Sequence, residues 1–106
     1  MYLRIMKGFL YNITIHADRS CGGDVLYYVQ HQLFPTWSEH QGWERPKLLR
    51  IPTPTEDGVS IALQFELQST EALANFDLSS DPLVARIRKV YGDRVLFYPT
   101  LMEVIG

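Results

Sequence analysis

Tyr91-Gly-Asp-Arg-Val-Leu-Phe-Tyr-Pro-Thr-Leu-Met-Glu-Val-Ile105 is the stretch on which the fold turns. Gly92-Asp93 has the chemistry of a turn that ends one element and releases the chain into a long apolar strand. Pro99 interrupts that strand and has no N–H to give a ladder. A strand carrying it belongs at a sheet edge or a bulge. An apolar strand with one free edge is a template for pairing with another chain. The segment 94–105 therefore predicts an assembly, a homodimer, before any reaction.

Working back from Gly92, Asp81-Pro82 opens a helix with an acidic cap and proline in its first turn, and Gly92 closes it. Ser69-Thr70-Glu71 starts an earlier helical stretch that breaks near Ser79-Ser80. Before it, Val59, Ile61, Leu63, Phe65 and Leu67 alternate with Ser60, Ala62, Gln64 and Glu66, which is the period of a strand with two different faces. Phe9, Tyr11, Ile13 and Ile15 alternate in the same way with Leu10, Asn12, Thr14 and His16. Between these two strands, Asp24 is a plausible cap for a helix over about Val25–Phe34, with Val25, Val29 and Leu33 on one face and Pro35 perturbing its end. Trp43–Ile51 reads as a poorly patterned strand containing Pro46, a second edge candidate, and Pro52–Gly58 as an exposed hairpin connection.

The order strand–helix–strand–strand–helix–strand, with two right-handed crossovers around one hairpin, predicts an α+β ferredoxin-like plait. Its antiparallel sheet has order 4-1-3-2 and both helices on one face. Residues 1–8 are expected to be an N-terminal tail, with Met6 as an alternative start, and residues 9–106 one domain.

Composition bounds the function. The net charge is −2 and the basic residues are dispersed, so no cationic stripe exists to displace counterions from nucleic acid. No apolar run approaches the roughly 20 residues of a membrane span, and no cleavage site follows the first apolar stretch. The lone Cys21 excludes an internal disulfide and suits a reducing compartment, so a cytoplasmic location is expected.

Helices cover one sheet face, and the apolar rows Ile13, Ile15, Ile61, Leu63 and Phe65 should lie under them. The opposite rows are mixed. With strands one and three taken as parallel neighbours, His16 falls near Glu66, Thr14 near Gln64 and Tyr98, and Asn12 near Ala62 and Thr100. A small-molecule site lined by Asn12, Thr14, Gln64, Tyr98 and Thr100 follows, with His16 and Glu66 as an acid–base pair. Leu10, Leu96, Met102 and Val104 share this face, which argues that a second copy covers part of it.

Tyr11-Asn12-Ile13-Thr14, Leu48-Leu49-Arg50, Ser60–Glu66, Tyr91-Gly-Asp-Arg-Val95 and Thr100–Val104 resemble, in order and spacing, a family of short bacterial proteins of unknown function. That family is similar to the dimeric α+β barrel superfamily, in which two plaits pack their open sheet faces around a cavity. The resemblance brings no catalytic residues. Where the family often has His-Ile-Pro on its first helix, this chain has Leu33-Phe34-Pro35. Haem-degrading members of the superfamily use a first-strand asparagine, for which Asn12 could stand, but also a tryptophan and a histidine that residues 69–91 do not contain.

No cofactor or metal is expected. His31 and His40 lack ligand spacing, and Gly22-Gly23 is not followed by the lysine of a phosphate loop. Cys21 precedes a helix, a setting that can activate a thiol, but no histidine adjoins it in sequence. Trp37 and Trp43 are expected to cap the core rather than form a binding patch. Three functions fit: a small-molecule-binding module, a cofactor-independent oxygenase- or isomerase-like enzyme using His16 and Glu66, and a structural or interaction module.

Overall fold

Alternation is plain along two of the four strands that build the sheet, the first and the third. In the computed structural model, which describes residues 8–52 and 58–106, the strands are β1 (Gly8–Asp18), β2 (Glu44–Ile51), β3 (Gly58–Leu67) and β4 (Val95–Val104). Their order is β2-β3-β1-β4, which read from the other edge is 4-1-3-2, and every neighbouring pair is antiparallel. Gly8 begins β1 rather than belonging to a tail. Residues 1–7 and 53–57, where the rest of the tail and most of the hairpin connection were expected, lie outside the described residues.

The parallel pairing expected between β1 and β3 is overturned. Phe9 faces Leu67 and Asp18 faces Gly58, so the two strands run in opposite directions. The reason is topological. A crossover returns β2 in the direction of β1, and the short connection to β3 then reverses it. Both prolines do mark edges. Pro99 is on β4, and Pro46 on β2 sits in an irregularity between Glu44 and Lys47, where Arg45 takes a φ of 47°.

The first helical stretch is longer than expected. The helix α1 (Gly22–Tyr28) runs into a π-helical turn (Val29–Leu33) and on into α2 (Phe34–Trp37). Pro35 has no N–H for the carbonyl four residues back, and the wider turn just before it absorbs the defect, with Phe34 N–H donating to the Val29 carbonyl. Asp24 is not the cap. Cys21 holds that position without a side-chain bond, and Asp24 sits in the first turn, where its charge still favours the helix.

The second stretch is shorter than expected. Ser69 does cap, accepting from Glu71 N–H, but only a 3-10 turn (Thr70–Leu73) follows. Asp77 then binds Ser79 through both its N–H and its hydroxyl, a local bond that competes with helix continuation. The helix α3 (Pro82–Tyr91) starts as expected. Asp81 accepts from Leu83 and Val84 N–H, and Gly92, at φ 61°, ends it in a conformation that costs other residues strain.

The core lies between the helices and one sheet face: Ile13, Ile15, Ile61, Leu63 and Phe65 against Val25, Val29, Leu33, Val84 and Ile87, all buried. Trp37 and Trp43 cap it. Their indole N–H groups donate to Asp81 Oδ1 and to the Ala72 carbonyl, at 3.2 and 2.9 Å. Cys21 is buried in the same cluster and acts there as a small apolar residue.

Candidate functional site

The face of the sheet away from the helices is set by register. Four cross-strand rows run over it in the order β2, β3, β1, β4: Glu44–Glu66–Leu10–Met102, then Lys47–Gln64–Asn12–Thr100, then Leu49–Ala62–Thr14–Tyr98, then Ile51–Ser60–His16–Leu96. Side chains on one strand alternate between faces, so these positions share a side.

The centre of the face is polar and internally bonded. Gln64 Nε2 donates to Asn12 Oδ1 at 3.1 Å, and Asn12 Nδ2 donates to Thr14 Oγ1 at 3.0 Å. His16 Nδ1 and Ser60 Oγ lie 2.7 Å apart in a bond whose direction follows the ring tautomer. These groups are partly buried. Around this centre stand Leu49, Ile51, Leu96, Tyr98, Met102 and Val104, each 39–53% exposed.

Of the residues picked from the sequence, Asn12, Thr14, Gln64, Tyr98 and Thr100 share this region, with Thr14 opposite Tyr98 and Asn12 opposite Thr100 as expected. Their partners on β3 are exchanged, however. Asn12 faces Gln64, and Thr14 faces Ala62. The acid–base pair does not form within the chain. His16 faces Ser60, whereas Glu66 faces Leu10, roughly 20 Å away along β1 at the rise of a strand. Glu66 instead meets Arg45, with Nε to Oε1 at 3.7 Å, an exposed pair of the kind that contributes about 0–1 kcal/mol.

Lys47, Leu49 and Ile51 were not picked out, because the irregularity at Arg45-Pro46 shifts the alternation of β2 and hides its period. Ser60 was on the right row, and the direction of β3 alone would have assigned it to His16. Among the described residues no group of histidine, cysteine and carboxylate side chains could hold a metal ion, and no helix is long and apolar enough to cross a membrane.

A family model described as a domain of unknown function (DUF4286) matches residues 8–105. The chain belongs to this family. No curated protein matches it in sequence. Solved structures do resemble it. A dimeric ferredoxin-like protein from an uncultured marine organism has 10% identity and a TM-score of 0.66, the match covering 94% of this chain and 97% of that one. An ethyl tert-butyl ether d family protein of Bacillus halodurans has 14% identity and a TM-score of 0.64, covering 92% and 99%. A monooxygenase of Streptomyces coelicolor, solved with nanaomycin D, has 14% identity and a TM-score of 0.57, covering 95% and 90%. At such identities the likeness concerns the fold alone, and that fold is the ferredoxin-like plait.

Proposed function

We propose that two copies of this chain meet through the uncovered sheet face, with β4 at the seam, and hold a small organic molecule between them. One observation carries the reading: the satisfied polar group of Gln64, Asn12 and Thr14 lies inside a ring of exposed large apolar side chains. Solvent accounts for the polar centre and not for the ring. A sheet face about 30 Å long and four strands wide gives two copies on the order of 1,000 Å² to bury, near the lower bound of specific interfaces. The apolar ring supplies association, and Asn12, Thr14, Gln64, Tyr98 and Thr100 orient the ligand. The dimeric ferredoxin-like neighbour supports the assembly by analogy of fold.

His16 keeps a place beside this cavity with Ser60 as its partner. His16 and Glu66 are separated along the sheet of one protomer, so no acid–base pair within the chain supports an enzyme.

Replacing Met102 or Thr100 with Glu puts an unpaired charge into the proposed interface, which is strongly unfavourable. Sedimentation should then show a monomer where the unaltered chain sediments as a dimer. A variant that stays dimeric, or an unaltered chain that is monomeric at micromolar concentration, removes the assembly. Mass spectrometry of protein purified under native conditions tests the ligand separately, and a dimer that carries and takes up no small molecule leaves only an interaction module.

A further inference from the structure

The uncovered face has two unlike ends. At one, Glu44 stands directly opposite Glu66, placing like charges side by side on neighbouring strands. Arg45 offsets them only in part, from 3.7 Å and largely exposed, and Lys47 is one row further in. A concavity of about 330 Å³ opens at this end, lined by Leu10, Glu44, Arg45, Glu66 and Val104 among others. The other end carries His16. Beyond it, where β1 finishes, Arg19 and Arg94 lie beside Asp18, whose carboxylate accepts from Ser20 N–H at 2.9 Å. Two carboxylates with one guanidinium thus stand roughly 20 Å along the strands from two guanidinium groups and an imidazole with one carboxylate. Ser60 Oγ, 2.7 Å from His16 Nδ1, restrains the ring and makes Nε2 its one remaining polar atom.

Two sheets packed in line about a two-fold axis have two arrangements. With the axis along the strands, like ends meet and four carboxylates gather at one of them. With the axis across the strands, each end meets the opposite end of the other copy, and the charges complement. This second arrangement has a definite register. It lays β1 on the partner's β1, reversed, with His16 above the row that holds the partner's Leu10 and the partner's Glu66. Aligned sheets cross at about −30°. The right-handed crossover sets β3 on the same side of β1 in both copies. At about 10 Å from the axis, the crossing therefore moves His16 by roughly one strand, off the partner's β1 and onto its β3. Packed sheets lie about 10 Å apart, a gap that an imidazole and a glutamate side chain span together.

We propose, resting on the assembly through the open face, that the two copies pack with their strands reversed and that His16 Nε2 of each protomer bonds to the partner's Glu66 at the mouth of the concavity beside it. The dimer then holds two such pairs, neither of which one copy completes alone.

Sedimentation equilibrium of the unaltered chain, His16→Gln, Glu66→Gln and the double variant tests the pairing. His16 is partly exposed and Glu66 exposed in a single copy, so these changes leave the core untouched. Each single variant should raise the dimer Kd. Residues this far apart within one copy act independently, so only contact between copies makes their effects fail to multiply. The Kd of the double variant should fall short of the product of the two single fold-changes by about fivefold or more, since the pair occurs twice. If the fold-changes multiply, or if neither single variant weakens the dimer, the pairing is overturned while the assembly stands. An unaltered chain that is monomeric at micromolar concentration overturns the assembly and the pairing with it.

Discussion

On β1, Ile13 and Ile15 are wholly buried while Asn12, Thr14 and His16, one position away along the strand, remain partly exposed. The same division runs across β3, where Leu63 and Phe65 are sealed and Gln64 and Glu66 are not. One face of the sheet is closed by helices from its own chain. The other pairs a polar centre with apolar flanks and, among the described residues, has no such cover. A core-forming face needs only volume and hydrophobicity, since dispersion and water exclusion have no direction. The uncovered face instead carries hydrogen-bonding groups, whose partners depend on direction and register.

The largest expected effect comes from the covered face. Leu63→Ala should destabilise the chain by about 2–5 kcal/mol, because it opens a cavity among residues that cannot fully relax. Leu49→Ala, on the uncovered face, should cost under about 1 kcal/mol when measured on dilute, monomeric protein. Chemical denaturation of both variants checks the contrast, and equal losses would erase the distinction between the faces.

A smaller effect is expected at the polar centre. Asn12→Ala removes the acceptor of Gln64 and the donor to Thr14, at a cost of about 1 kcal/mol, the net worth of a typical hydrogen bond. Its main consequence should be on ligand retention, read by mass spectrometry of the purified variant. A larger loss of stability with unchanged retention would make this cluster structural rather than part of a binding site.

The smallest effect concerns acid. Hydrogen bonds from Ser79, hydroxyl first and backbone N–H second, hold the Asp77 carboxyl below its ordinary 3.8, and Ser20 does the same for Asp18. A carboxyl depressed in the folded state stabilises it fully above that ordinary value. The contribution fades as pH falls through the folded-state value. Thermal melts should therefore drop modestly below about pH 4, and Ser79→Ala should flatten part of that drop. A melt that changes mainly near neutrality would overturn the assignment to these two carboxyls.

Much of this could be read along the chain. The alternation in β1 and β3 identified both faces correctly, because side-chain parity is a local property of an extended backbone. Pro46 and Pro99 marked the edges, since a missing donor is equally local. Asp81-Pro82 and Gly92 bounded α3 for the same reason. The reading failed where two distant segments had to be aligned. Reversing β3 against β1 exchanged the partners of Asn12 and Thr14 and brought Ser60, not Glu66, to His16. The π-helical turn before Pro35 and the short 3-10 turns after Ser69 were missed because local rules name a defect without saying how the surrounding packing absorbs it.

The chain's own order of residues thus determined which side chains turn toward the helices, which turn away, and where the sheet must stop, because each of these depends on neighbours a few bonds distant. Only the tertiary structure decided which of the outward-facing groups touch. Register and strand direction are set by the joint closure of loops, crossovers and core, and a shift or reversal leaves every local pattern intact while changing every partner.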